Sequence, residues 1–269
     1  MSEMILGLKT HSLRKIYAFW QLVFIKVRFN LRSEATQSYL NYAWWVLEPL
    51  LFMLVFYIVF EIFLHRGGGD FVSFLLCGIV PWLWFSKSVN HSGNSIMQGK
   101  GLISQVYLPK TFFPVVVIGQ DAVKQVVVFL LLFGYLIYQG YSPSMHWFWL
   151  IPLITSQLIL IIAVSFVVAF LIPFAQDIKY LVEAGLRMMM FGSGIFYSYK
   201  DVLLPEHREI FLLNPMANII VNYRRILLED TAPMVDSVLI ITFLSAFVIA
   251  VMYLVMKRFD NTLTRLALE

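Results

Sequence analysis

One histidine and one aspartate stand at a spacing that could support catalysis. His65 and Asp70 are separated by four residues, and at this spacing an aspartate can orient a histidine that acts as general base in acyl transfer. The residues between them form a glycine-rich turn between two apolar runs, and no soluble domain accompanies the pair. We therefore expect a connecting turn here and predict no catalytic residue.

A second pattern partly matches the sequence motif of a phosphate-binding loop. Gly93 and the pair Gly99-Lys100 are one residue too far apart, and Gly101 stands where a serine or threonine is required. The five histidines are scattered, and the single cysteine lies in an apolar run, so neither residue type predicts a metal site. The sequence thus predicts no cofactor or metal held by this chain itself.

Composition favours a membrane protein. Of the 269 residues, 60% are hydrophobic and only 13% are charged, and the mean hydropathy is +0.78. Such a chain cannot cover a soluble core with polar surface, which predicts an integral protein with several spans. The isoelectric point is near 9.1, but the basic residues are spread over the segments between apolar runs. They predict membrane topology and no nucleic-acid partner.

Apolar runs of span length set the expected architecture. A helix needs about 20 apolar residues to cross a bilayer, and the run 42–64 has no charge between Glu48 and Glu61. We expect an all-α membrane protein with a single transmembrane domain, 1–269. Its six spanning helices are expected at 42–64, 71–89, 114–138, 147–175, 181–197 and 238–256.

Basic residues fix the expected orientation. Lys and Arg outnumber Asp and Glu before residue 42, and Lys257 and Arg258 follow the last apolar run. Because cytoplasmic segments are enriched in Lys and Arg, we expect both termini in the cytoplasm, which six spans allow and seven do not. The segment 11–41 is expected to be an amphipathic helix on the cytoplasmic leaflet or, since its apolar face is wide, packed more deeply against the bundle.

The cytoplasmic loop 99–110 has an apolar face of its own. Leu102, Ile103, Val106 and Tyr107 would lie together on one side of a short helix. An apolar face in the cytoplasm predicts a protein partner.

The segment 198–228 is apolar but interrupted by polar and helix-breaking residues. Asn214-Pro215 and Arg224 are the main interruptions. A broken backbone is tolerated at membrane depth only where protein covers it or water reaches it. We expect a re-entrant hairpin on the outer side, between the fifth and sixth spans.

Five ordered motifs carry a resemblance to a known family. They are SYLNYAW at 38–44 running into LEP at 47–49, FLLCGIVPW at 74–82, LISQVYLP at 102–109, DIKY at 177–180, and Asn214-Pro215 followed by Tyr223-Arg224. In this order and spacing they resemble the membrane (permease) subunit of type-two ABC exporters that move O-antigen, capsular polysaccharide or teichoic acid. The resemblance covers nearly the whole chain.

The resemblance implies a transport subunit and not an enzyme. In that family two copies of the permease form a homodimer, which two copies of a separate ABC ATPase bind; the ATPase holds the ATP and Mg. The implied substrate is a lipid-linked polysaccharide, O-antigen first and capsule next, and the implied location is the bacterial cytoplasmic (inner) membrane.

The resemblance also implies roles for particular residues. The loop around 102–107 would be the coupling helix that docks into the ATPase, and its contact residues would be Leu102, Ile103, Val106, Tyr107 and Pro109. The broken hairpin would form gate helices at the outer side, with Asn214, Pro215 and Arg224 as gate residues. The first and fifth spans would border the channel.

A route for a polysaccharide should offer aromatic rings and few fixed charges, because sugar ring faces are apolar. The candidates for this path are Trp45, Phe52, Phe56, Phe60, Arg187, Tyr197, Tyr199 and Tyr223. The chain has 24 Phe, 13 Tyr and 7 Trp, so helix packing and interface belts are the alternative for each ring.

Two other functions stay open from the sequence. One is an ABC exporter of small molecules or drugs, which would share the same architecture. The other is a membrane-embedded acyl- or glycosyltransferase, against which the scattered histidines and the absence of a carboxylate pair at a shared interface both speak.

Overall fold

The computed structural model is all-helical, without a strand among the residues that it describes. Those residues are 2–36, 43, 47, 50–51, 54–55, 57–63, 69–202 and 204–269. The α-helices in this part of the chain are α1 Ser2–Thr36, α2 Gly69–Gly93, α3 Ser95–Gln98, α4 Lys100–Ile103, α5 Phe112–Tyr138, α6 Leu150–Leu171, α7 Ile178–Phe191, α8 Tyr199–Val202, α9 Pro205–Leu212, α10 Pro215–Leu227, α11 Val235–Arg258 and α12 Asp260–Leu268. A π-helical segment covers Tyr57–Phe63, and a 3-10 turn at Met145–Trp149 leads into α6.

Four helices in the described residues are long and apolar enough to cross a membrane. They are Asp70–Gly93, Phe112–Tyr138, Met145–Leu171 and Val235–Arg258. The shortest of them has 24 residues and a length of about 36 Å, against a hydrocarbon core of about 30 Å. Four of the six predicted spans are therefore represented by helices of sufficient length.

The other two predicted spans stay predictions. Ten of the 23 residues in 42–64 lie outside the described residues. In place of a helix over 181–197 the structure has α7, which has 14 residues, ends at Phe191 and gives way to turns. Its length of about 21 Å is short of the hydrocarbon thickness. Gly194, with φ +68°, lies in the turns that follow, a conformation that only glycine adopts readily.

Helix α2 lies at the centre of the bundle. It packs against α5, α6, α7 and α10, and Leu75, Leu76 and Cys77 on it are almost completely buried. Pro81 lies inside this helix, and its carbonyl accepts a hydrogen bond of 2.8 Å from Nε2 of Gln157 on α6. This bond joins α2 to α6 and pairs two polar groups inside the core, where no water is at hand to bond them.

Helix α1 packs lengthwise against α5. The rings of Phe19 and Phe112 are 6.1 Å apart, and further along Asn30 donates a hydrogen bond of 3.1 Å to Gln120. The helix begins at Ser2, before the predicted start at residue 11. One face of α1 contacts α5, while Trp20, Phe24 and Phe29 are exposed, so both predicted placements, on the leaflet surface and against the bundle, stay open.

The bundle has two ends that matter for the site. We call the end formed by residues 94–111, 172–177 and 259–269 the loop end, where Phe170 and Phe259 are in ring contact at 5.8 Å. We call the opposite end, formed by 139–149 and 192–234, the hairpin end, where the hydroxyl of Tyr141 donates to Asp70 at 2.9 Å. The last span, α11, joins the two ends.

Candidate functional site

A turn at the loop end presents two apolar side chains outward. This coupling turn, residues 104–109, follows α4 and leads into α5. Val106 is 53% exposed and Tyr107 is 76% exposed, and Pro109 beside them is also exposed. Two large exposed apolar groups next to one another outside the spans form a surface suited to protein contact.

Two other residues assigned to that contact lie elsewhere. Ile103 is only 8% exposed, because it packs into a cluster with Ile96 and Phe113, and Leu102 is half-buried at its edge. The assignment of Ile103 as a docking residue stays a prediction, and in this structure its side chain supports the turn from inside. The four residues were expected on one face of a single helix. That helix ends at Ile103, so Val106 and Tyr107 do not follow its spacing of 3.6 residues per turn and lie apart from Ile103.

The last helix, α12, packs beneath the coupling turn. Leu263 and Ala267 on it are fully buried against the same cluster as Ile103. The carboxylate of Asp260 accepts a hydrogen bond of 3.0 Å from the backbone N–H of Lys110, and Nζ of Lys100 donates to the carbonyl of Leu268 at 2.5 Å. No role for these residues follows from the sequence alone, although the spacing of Asp260, Leu263 and Ala267 is that of one helical face.

The carboxylate of Asp260 lies close to two titratable side chains of the coupling turn and its exit, those of Tyr107 and Lys110. Nζ of Lys110 lies 3.9 Å from Oδ2 of Asp260 and donates to the carbonyl of Leu108 at 3.0 Å. Burial lowers the pKa of Lys110, and the charge of Asp260 partly opposes this. The same carboxylate, more than burial, raises the pKa of Tyr107. The charge of Asp260 thus acts on both Lys110 and Tyr107.

At the hairpin end, Asn214 begins helix α10. Its side-chain oxygen accepts hydrogen bonds from the N–H groups of Met216 (3.0 Å) and Ala217 (3.4 Å), and Pro215 occupies the first turn. This is the usual cap chemistry, since proline has no N–H to leave unpaired there. Nδ2 of Asn214 also donates to Oγ of Ser193 at 3.1 Å, which ties the start of α10 to the turn after α7.

Arg224 on α10 is a buried cation bonded to backbone carbonyls. It donates to the carbonyls of Phe74 (3.1 Å), Gly194 (2.7 Å) and Ile195 (2.8 Å), and its guanidinium lies 3.4 Å from the centroid of the Phe74 ring. A β-carbon at Gly78 would lie only 2.7 Å from Nη2 of Arg224, so this approach needs a glycine. Arg224 therefore joins α2, α10 and the turn after α7.

Tyr223, a candidate for the translocation path, lies in the core. Its exposed fraction is 0%, its hydroxyl donates to Oε1 of Gln157 at 2.8 Å, and its ring stacks on that of Phe129 at 5.8 Å. A side chain without exposed surface cannot contact a passing sugar in this conformation. The assignment to the path stays a prediction, and in this structure Tyr223 points to α5 and α6 and not to the surface.

Of the other path candidates, the structure describes the side chains of Arg187, Tyr197 and Tyr199. Trp45, Phe52 and Phe56 lie outside the described residues, and so does the side chain of Phe60. The side chain of Arg187 is 76% exposed, with Nη2 3.5 Å from Oε2 of Glu183 one turn earlier. Tyr197 and Tyr199, both half-buried, lie against the ring of Phe211 at 6.4 and 5.5 Å.

A charged cluster lies between α1, α2 and α5. Asp121 contacts Nδ1 of His91 at 3.0 Å, and Nζ of Lys124 contacts Glu34 of α1 at 2.6 Å. Asp121 and Lys124 are three residues apart on α5, and each contacts a titratable group on another helix. With Asn30 and Gln120 they line a cavity of about 360 Å³. The histidine and aspartate whose spacing could support catalysis are His65 and Asp70. His65 lies outside the described residues, and the carboxylate of Asp70 accepts a hydrogen bond from the hydroxyl of Tyr141.

Known proteins with similar sequences are polysaccharide transport proteins. The chain is 28% identical to an O-antigen export system permease protein RfbA of Klebsiella pneumoniae, over 80% of this chain and 83% of the relative. It is 25% identical to the protein of the same name from Myxococcus xanthus, over 82% and 85% of the two chains. A shorter match, 32% identical over 77 residues, is to the polysialic acid transport protein KpsM of Escherichia coli and covers 28% of this chain and 30% of that protein.

No protein-family model matches the chain. The similarity to export permeases nevertheless runs over about four-fifths of the chain and of the relatives. It confirms the resemblance that the motifs carried. The chain is a homologue of the permease proteins of O-antigen export systems, of the type-two ABC exporter kind.

Proposed function

We propose that the chain is the membrane-spanning subunit of an ATP-driven exporter that moves a lipid-linked polysaccharide, O-antigen before capsule, across the bacterial cytoplasmic membrane. It works as a homodimer with two copies of a separate ABC ATPase, which binds the ATP and Mg. The similarity to O-antigen export permeases over 80% and 82% of the chain supports this assignment.

The proposed topology places the loop end in the cytoplasm. Six spans, with 42–64 as the first and α7 within the fifth, bring both termini to that side. Lys257 and Arg258 at the inner end of α11 are exposed at the loop end, which agrees with the enrichment of basic residues in cytoplasmic segments. The hairpin end then faces outward, with α8 to α10 as the re-entrant gate.

The ATPase docks on the coupling turn. The observation that carries this proposal is the exposure of Val106 (53%) and Tyr107 (76%) on a turn whose base is packed on the buried Ile103 and α12. An apolar contact on a rigid base transmits displacement, whereas the same contact on a loose loop would absorb it. Movement of the ATPase would therefore reach α5 through the chain that follows Pro109.

The path for the glycan is proposed along the first and fifth spans. Phe52, Phe56 and Phe60 would provide rings on the first span, and Tyr197 and Tyr199 would provide them at the hairpin end. Arg187 is the exposed cation of α7 closest in sequence to this outer group. Ring faces bind apolar sugar faces and release them without a strong charge, which suits a chain that must keep moving.

The docking proposal is tested in the complex of permease and ATPase expressed together. Replacing Tyr107 by aspartate should detach the ATPase, because a charge would have to be buried at an apolar contact. Tyr138→Asp is the matched control, since Tyr138 is 86% exposed at the other end of α5. The readout is the amount of ATPase that copurifies with the membrane-inserted permease.

Loss of the ATPase in Tyr107→Asp but not in Tyr138→Asp supports the docking site. Equal retention of the ATPase in both variants would refute it. Equal loss in both would also refute it, because the effect would then not be specific to the loop end.

A further inference from the structure

The coupling turn is held at its end by a residue from the far end of the sequence. Within the turn, the N–H of Val106 donates to the carbonyl of Leu102 at 3.0 Å, and beyond it the N–H of Phe112 donates to the carbonyl of Pro109 at 2.9 Å. Between these local bonds, the N–H of Lys110 donates to Asp260 at 3.0 Å. This bond spans 150 residues of sequence and fixes the exit of the turn.

Asp260 is itself rigidly placed. It lies in the first turn of α12, whose Leu263 and Ala267 are fully buried, and it is 9% exposed. Helix α12 follows α11 after the single residue Phe259. A carboxylate on a packed helix keeps its position, whereas the same group on a free tail would follow the turn.

The position of Asp260 connects the coupling turn to a second spanning helix. The turn is joined to α5 by the chain itself, and through Asp260 and α12 it is joined to α11. Helix α11 packs against α6 along the bundle. A displacement at Tyr107 would thus act on two spans and not on one.

We infer that Asp260 is a positioning residue for the ATPase contact: by holding the N–H of Lys110 it orders the coupling turn, so that Val106 and Tyr107 meet the ATPase in one geometry. This inference rests on the proposed docking of an ATPase at that turn. Asp260 itself is buried and makes no contact with the partner. The helix α12 serves as the fixed support.

The order of the turn is measured directly with a spin label. Gln105, exposed in the turn, is replaced by cysteine in the full-length permease in lipid nanodiscs; the native Cys77 is buried and does not compete for the label. Asp260→Ala, which removes the acceptor, should mobilise the label and weaken ATPase binding by about tenfold, the effect of losing one charged hydrogen bond. Asp260→Asn keeps a side-chain oxygen for the N–H and should retain both the immobile label and the affinity.

Asp236→Ala serves as the matched control. Asp236 is an exposed carboxylate in the first turn of α11 at the hairpin end, so its loss should leave the label and the affinity unchanged. If Asp260→Ala does not yield folded protein, Asp260→Glu provides the second variant. It keeps the charge but moves the carboxylate by one methylene, and it should also mobilise the label.

The outcomes separate the inference from the proposal on which it rests. An immobile label and unchanged ATPase affinity in Asp260→Ala or Asp260→Glu would overturn the positioning role, and Tyr107→Asp could still detach the ATPase. A defect as large in Asp260→Asn as in Asp260→Ala would also overturn it, because charge and not the held N–H would then be responsible. Retention of the ATPase by Tyr107→Asp would instead refute docking at the turn.

Discussion

Replacing Gly78 by alanine tests the placement of the buried Arg224. The added β-carbon would lie 2.7 Å from Nη2 of Arg224 and 3.4 Å from the α-carbon of Ile195. Carbon atoms do not approach nitrogen so closely, so the guanidinium must shift by several tenths of an ångström. It is held between the Phe74 ring at 3.4 Å and the carbonyls of Gly194 and Ile195. A shift of the guanidinium would therefore change these contacts.

The expected cost follows from these contacts. Overpacking of a filled core costs about 1–3 kcal/mol, and one hydrogen bond from a charged group contributes about 1.5–3 kcal/mol. We expect Gly78→Ala to lower stability by about 1–3 kcal/mol, the range for a partial loss. For a chain of this size that corresponds to a decrease in melting temperature of about 3–10 °C. Thermal unfolding of the detergent-purified protein, followed by tryptophan fluorescence, measures it.

Gly134→Ala is the control for this experiment. A β-carbon at Gly134 on α5 would meet no atom within 4 Å, so there the substitution only reduces the flexibility of the unfolded chain. It should raise stability by about 0.5–1 kcal/mol. The penalty of Gly78→Ala should also shrink in an Arg224→Met background, because the guanidinium that causes the clash is then absent. A Gly78→Ala protein that melts at or above the wild-type temperature would refute the reasoning.

Two further predictions concern the hairpin end and the core. Tyr223→Phe removes the bond of 2.8 Å to Gln157 inside the core and should lower stability by about 1–3 kcal/mol in thermal unfolding; unchanged stability together with reduced glycan export would instead favour the path role. Hydrogen bonds from Ser144 and His146 lower the pKa of Asp230 below 3.8, so they stabilise the protein above that pH and the stabilisation is lost as the pH falls through the folded pKa. Ser144→Ala should therefore lower the melting temperature at pH 7, and the difference from wild type should shrink as the pH falls below 3.8; a difference that grows in acid would contradict this sign.

The long apolar helices could be predicted from the sequence because the bilayer sets a simple condition on length and polarity. The predicted spans 71–89 and 238–256 both lie within longer helices of the structure. The early end of α7 could not be predicted from hydropathy. It lies at turns that include Gly194 at φ +68°, a backbone property that apolar composition does not report.

Contacts between helices were harder to predict than the helices. The pairing of Asp121 with His91 and of Lys124 with Glu34 depends on which faces of α1, α2 and α5 meet, and spacing within α5 carries no such information. Tyr223 is a path candidate from the sequence because it is an aromatic residue in the segment 198–228. Its burial depends on how α10 packs against α5 and α6, which is a tertiary property.

The loop end shows the same division between local and tertiary information. The apolar character of Val106 and Tyr107 was evident from the sequence, and their exposure agrees with a contact surface. The hydrogen bond between Lys110 and Asp260 could not be predicted because the two residues are 150 positions apart in the sequence. Helix α12 has only nine residues, so the periodicity of its apolar residues is a weak signal in the sequence. Its role can be inferred only from the residues against which it packs.

Surface glycan in a strain that lacks this gene is the most direct measurement of the proposed function. The cell surface is probed with a glycan-specific antibody, and the cytoplasmic fraction is analysed for the same polymer. We expect the polymer to accumulate inside the cell and to disappear from the surface, with recovery by the wild-type gene but not by the Tyr107→Asp variant. Unchanged surface glycan in the deletion strain would contradict the assignment as a polysaccharide exporter.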